Sequence, residues 1–213
     1  MGKPIAGITI PDSKLAREAT ELVRETESPL LFRHSTRVFL FGALAGVRRN
    51  LKFDSELLYI GAIFHDMGLT AKHSSQDERF EVDSANAARD FLRSHHIKEE
   101  SIDIVWDAIA LHTTPGIPKH KKPEVALVTA GVDTDVLGIG YGELSDEERQ
   151  AVLAAYPRGN QFKEGIINAF FNGFKHKPDS TFGTMNDDVL ARMNPIFRRA
   201  DFCSIILNSP WGE

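Results

Sequence analysis

One cysteine, Cys203, is all the chain contains. An intrachain disulfide framework is therefore impossible, which fits a reducing compartment. Also absent is any run near the roughly 18 apolar residues that a membrane span needs. The longest apolar stretch, residues 38–47, is interrupted by Gly42 and Gly46. The first residues, MGKPIAGITIPDS, lack the apolar centre of a secretion signal, and Ala6 stands where a myristoylated chain wants Ser or Thr. The cytoplasm is the expected location, and no membrane partner is expected. Positive charge is not in excess: 25 Lys and Arg face 30 Asp and Glu, a formal net charge of -5. An acidic balance argues against a dedicated nucleic-acid binder, although a locally basic site for a small anion stays open. No P-loop, dinucleotide fingerprint or paired-cysteine zinc motif occurs.

Apolar residues make up 42% of the 213 positions and charged residues 26%, so there is enough apolar material for one sizeable core. Few segments alternate with a period of two, and the pattern reads as helical throughout. Asp12 or Ser13, Asp54 or Ser55, and Ser145 look like N-caps, with Glu148 completing a capping box. Helices are expected over about 13–27, 30–49, 56–67, 80–95, 101–112, 123–137, 145–156, 162–174, 188–193 and 195–207. Residues 125–132, VALVTAGV, would also suit a buried strand. The expected architecture is all-α, a single domain over 1–213 with a core at about 30–140 and C-terminal helices of 145–208 packed on it.

Chemistry concentrates on three apolar helices. His34 sits within the most apolar one, with Arg37 three residues on. His65-Asp66 ends another, just before Gly68, and Asp133 lies in VALVTAGVDTDVLG. Each of these groups is costly to bury alone. One divalent transition metal would satisfy all of them, since imidazole and carboxylate suit such ions. The rival is a metal-free network of His34, Arg37, Asp66 and Asp133. Glu81 is either an acid–base group, an anchor, or a helix-start acid favoured by the dipole. His112, beside Thr113 and Thr114, either borders the pocket or simply ends its helix. Lys72 is a candidate for binding a polar substrate, with a solvated loop lysine as the alternative. Arg37 reads as structural, and Lys119-His120-Lys121-Lys122 as a solvated loop or a phosphate receiver.

The order His34…His65-Asp66…Asp133 on successive helices resembles the HD superfamily of metal-dependent hydrolases. Within it, HSTRVFLF (34–41), LLYIGAIFHDMGLTAK (57–72), RFEVDSA (79–85), WDAIALH (106–112), VTAGVDTDVLG (128–138) and KHKPDSTFG (175–183) resemble the cyanamide hydratase branch. The resemblance implies an HD-type helical bundle whose single metal, zinc first and iron, manganese, cobalt or nickel otherwise, is held by His34, His65, Asp66 and Asp133. A second metal would draw on His112 with His73 or Glu81. The implied reaction is attack of metal-activated hydroxide on a small nitrile-like substrate such as cyanamide. Glu81, His112 and Lys72 are the expected catalytic residues. The alternative is a phosphohydrolase acting on a nucleotide or other phosphoester. A regulatory, ligand-sensing module is the third reading. A small-molecule substrate is the expected partner, with homo-oligomerisation open.

Overall fold

A computed structural model describes residues 2–211. Ten α-helices carry the fold: α1 Lys14–Thr26, α2 Pro29–Arg48, α3 Ser55–Phe64, α4 Phe80–Ser94, α5 Glu99–Ala110, α6 Pro123–Val132, α7 Asp146–Ala155, α8 Phe162–Phe174, α9 Asn186–Met193 and α10 Phe202–Leu207. No strand forms among the described residues. The N-terminal segment folds into a tight turn in which Ile5 and Ile8 pair through both backbone bonds. Ala6 and Gly7 provide the positive φ values that this turn requires. VALVTAGV is helical.

The caps are the ones the sequence offers. Ser13 accepts from the Ala16 amide, and Asp54 accepts from Glu56 and Leu57. Ser145 and Glu148 form the reciprocal capping box at the start of α7. Two boundaries differ from expectation. α3 stops at Phe64, leaving His65 as its C-cap and Asp66 at the start of a 3-10 turn, Met67–Leu69. The last helix begins at Phe202 rather than Pro195. Asn194 is extended, as a residue before proline prefers, and the Asp201 carboxylate caps α10 by accepting from Ser204.

α2 is the central element. From Leu31 to Gly46 almost every side chain is buried, including His34 and Arg37. It packs on α3 and α6, while α4 packs on α5. The α2–α6 crossing is close because two glycines lie in it. A Cβ on Gly131 would fall 2.1 Å from the Val38 carbonyl oxygen, and one on Gly42 2.5 Å from that of Leu127. This crossing sets α6, and the turn that follows it, directly against His34. A smaller apolar cluster joins Phe162, Ile166 and Phe174 of α8 and Leu190 of α9 to Leu31, Leu69 and Phe80. The C-terminal helices thus cover one side of the region where α2, α3 and α4 meet. No described helix is long and apolar enough to cross a membrane.

Candidate metal centre

His34 projects from the middle of α2, and His65 and Asp66 from the end of α3; all three are fully buried. Among the described residues they form the one group of His, Cys, Asp or Glu side chains compact enough to share an ion. His34 Nε2 lies 3.2 Å from His65 Nε2. The nearer Asp66 oxygen is 3.7 Å from the first and 3.4 Å from the second. Ligand atoms ~2.1 Å from a tetrahedral ion stand about 3.4 Å apart. The spacing therefore suits three ligands around one centre.

The hydrogen bonds support that reading. His65 Nδ1 donates to the Ala62 carbonyl at 2.6 Å, and His34 Nδ1 donates to Asp135 Oδ2 at 2.7 Å. In neutral rings both Nε2 atoms then present lone pairs to each other. Neither Asp66 oxygen has a hydrogen-bond partner. Two lone pairs and an orphaned carboxylate at such distances repel unless a cation lies between them. Burial, reinforced by His112 and His34, holds the His65 pKa well below its ordinary value, which favours the ligating neutral form. Burial pushes the Asp66 carboxyl above its usual range. The residues fit a divalent ion.

The turn at His65-Asp66 is fixed from α4, where Ser84 Oγ accepts from the Gly68 amide at 2.7 Å. Gly68 is required because a Cβ there would fall 2.1 Å from the Phe80 carbonyl oxygen. Asp133 lies outside the three-residue group. It is half-buried at the start of a π turn, Asp133–Leu137, with its pKa raised by burial. It lines a cavity of about 280 Å³ together with His112 and Thr113.

The acid that meets His34 is Asp135, two residues further on. Arg37 Nε and Nη2 each donate to it at 2.8 Å, and Arg158 Nη1 donates at 3.0 Å. Burial would push Asp135 up, but hydrogen bonds from His34 and Arg37 hold it far below the usual carboxylate range. Asp135 thus fixes the tautomer and angle of His34. The D-x-D spacing of Asp133 and Asp135 was the available sequence signal. Arg37 is structural, as expected.

Glu81, the second residue of α4, is fully buried. It accepts from Arg79 and Asn186, each at 3.0 Å, and from the Thr113 hydroxyl. Burial alone would raise its pKa; the Arg79 hydrogen bond and His112 outweigh that, leaving it below the ordinary value. Asn186 had no signal in the sequence. The His112 ring stands edge-on to His65, with centroids 4.9 Å apart. Its Nδ1 donates to the Ile109 carbonyl, leaving Nε2 as its second functional atom. Lys72 is exposed in the polar turn and is not among the cavity-lining residues. The buried lysine is Lys177, paired with Asp83.

The HD domain family model matches residues 31–154, more than half of the chain, from the start of α2 to α7. No curated protein matches the chain. The matched span carries His34, His65, Asp66, His112, Asp133 and Asp135, and the chain belongs to the HD domain family, whose members are generally metal-dependent hydrolases.

Proposed function

We propose that this HD protein hydrates a small nitrile-like compound such as cyanamide. The observation that carries the reading is the cavity against His112 and Asp133. Its volume of about 280 Å³ lies just below the ~300–1,000 Å³ usual for ligand pockets. Its walls include Phe41, Ala45, Ala130 and Leu144. Cations reach the mouth, but Arg48 is paired with Glu148 at 2.7 Å and Arg49 with Glu143 at 3.9 Å. A small space in which two of the three lining Lys and Arg side chains are paired suits a small uncharged substrate.

In this proposal His34, His65 and Asp66 hold the metal, and Asp133 completes the set. A divalent ion so held supplies Lewis acidity, lowering the pKa of water toward ~7. Hydration adds one water across the C≡N bond: oxygen joins carbon, both hydrogens leave the water oxygen, and the nitrogen carries both in the amide product. Glu81, ionised at neutral pH, is suited to take a proton through Thr113, whose hydroxyl it holds toward the cavity wall. His112 lines the same cavity, and its Nε2 is suited to take up the second proton of the water and pass it to the nitrogen.

Phosphoester hydrolysis is the second reading, favoured by Arg48, Arg49 and Lys119 at the mouth. The test is a parallel assay of the metal-loaded protein on cyanamide and a nucleotide panel. Urea formation supports the first reading. Phosphate release without urea formation replaces it with the second.

A further inference from the structure

A second cavity, about 390 Å³, shares Phe41, Thr134, Leu137 and Leu144 with the first. Its own lining includes Asp135, Arg149, Arg158 and Lys163. The charges there do not balance. Arg149 is paired with Asp146. Asp135 is a single carboxylate shared by two guanidiniums, Arg37 at 2.8 Å and Arg158 at 3.0 Å. Lys163 forms no ion pair among the described residues and is exposed. One guanidinium charge and the Lys163 ammonium are therefore left without a counter-ion.

Arg158 is partly buried, and burial works against its charge. It is also stacked on the Phe162 ring, 4.0 Å from the centroid, so its plane is already fixed. A fixed guanidinium fork beside a mobile ammonium matches a doubly charged oxyanion, with the fork providing direction and the ammonium a point charge. The apolar walls at Leu137, Leu144 and Leu153 leave room for a small organic group attached to that oxyanion. The basic loop at 119–122 is exposed throughout, and Lys121 there is already paired with Asp107 at 2.6 Å.

We infer that this cavity binds a phosphate group, free or as the ester of a small molecule, between Arg158 and Lys163, at a site separate from the metal centre. The inference stands apart from the hydratase reading, because it uses none of the metal-holding or acid–base residues. The test is calorimetric titration of inorganic phosphate, and in parallel glycerol phosphate, into metal-loaded and chelator-stripped protein. Phosphate can also ligate a metal, so the stripped arm is essential. Saturable binding is expected in both arms. Lys163→Met, a change at an exposed position, should weaken it about tenfold or more while leaving the fold intact. Glycerol phosphate binding more tightly than inorganic phosphate would support an ester as the occupant; the reverse order would support free phosphate. Binding that disappears with the metal, binding equal in Lys163→Met and wild type, or no saturable binding would overturn the inference.

Discussion

Asp66 presents two buried oxygens with no donor to either, facing two imidazole lone pairs. Without a metal this arrangement is destabilising; with one it is a ligand set. Asp66→Asn should therefore act with opposite signs in the two states. The metal-free variant should be more stable than metal-free wild type by about 1 kcal/mol or more, since an amide can donate to the facing nitrogens. The same variant should hold little or no metal and gain nothing from its addition. Chemical denaturation with elemental analysis reads both effects. Loss of stability in the metal-free form would show instead that Asp66 is a structural acid. Glu81 calls for a different test, because its carboxylate has three donors. Glu81→Gln keeps the shape and removes the proton acceptor. Metal content should stay at the wild-type level while turnover falls by ~10²–10⁴. Wild-type turnover would reduce Glu81 to an anchor for Arg79 and Thr113.

The turn after α6 decides which acid meets the histidine. In a regular helix, residues two apart point to nearly opposite faces, ~200° around the axis. The π turn at Asp133–Leu137 keeps the two acids apart, with Asp135 buried against α2 and Asp133 at the cavity. Asp135→Asn should remove the one carboxylate charge that Arg37 and Arg158 share. Breaking a buried pair from one side costs about 3–5 kcal/mol. Metal affinity should also fall, by the ~10–100-fold typical of losing a partner that orients a ligating histidine. Competition with a calibrated chelator measures the second effect. Unchanged metal affinity would show that the α2 backbone alone orients His34. This element also marks the limit of the sequence. Helices α2, α3 and α7 are legible from apolar spacing, and α3 and α7 also from Asp54 and Ser145 as caps. His34, His65 and Asp66 are legible as polar groups on helices too apolar for them. Asp135 is only half legible: the D-x-D spacing puts Asp133 and Asp135 on opposite faces of a helix but does not say which face meets α2. Asn186 is hidden for a different reason: its contact with Glu81 spans 105 residues and depends on where α9 lands.

At the scale of the whole molecule, a metal held by His34, His65 and Asp66 would couple binding to folding, because the middle of α2 and the end of α3 meet only in the native core. A ligand present at about 1,000 times its Kd adds ~4.1 kcal/mol to stability. For a chain of this length that corresponds to a rise in Tm of roughly 8–16 °C. The size of the rise should depend on pH in a definite direction. Burial holds the His65 pKa in the folded protein well below its ordinary value of 6.5. Its contribution is therefore present above pH 6.5 and lost as pH falls through the folded value, where protons also compete for the ligating nitrogen. Asp66 and Glu27 have raised values, both through burial first, and Glu27 also through the nearby charge of Asp66. Their contributions to the metal-free protein are complete below the ordinary values of 3.8 and 4.5 and are lost as pH rises through the raised ones. Metal-free protein thus carries its largest buried-carboxylate cost at neutral pH, where the metal is also held best. Both effects widen the gap in Tm between metal-loaded and metal-stripped protein above pH 6.5 and narrow it below. Thermal unfolding of the two forms across pH 5 to 8 measures that gap. A gap that stays constant over this range, or widens toward acid, would mean that the metal is not held by neutral His34 and His65 with an ionised Asp66.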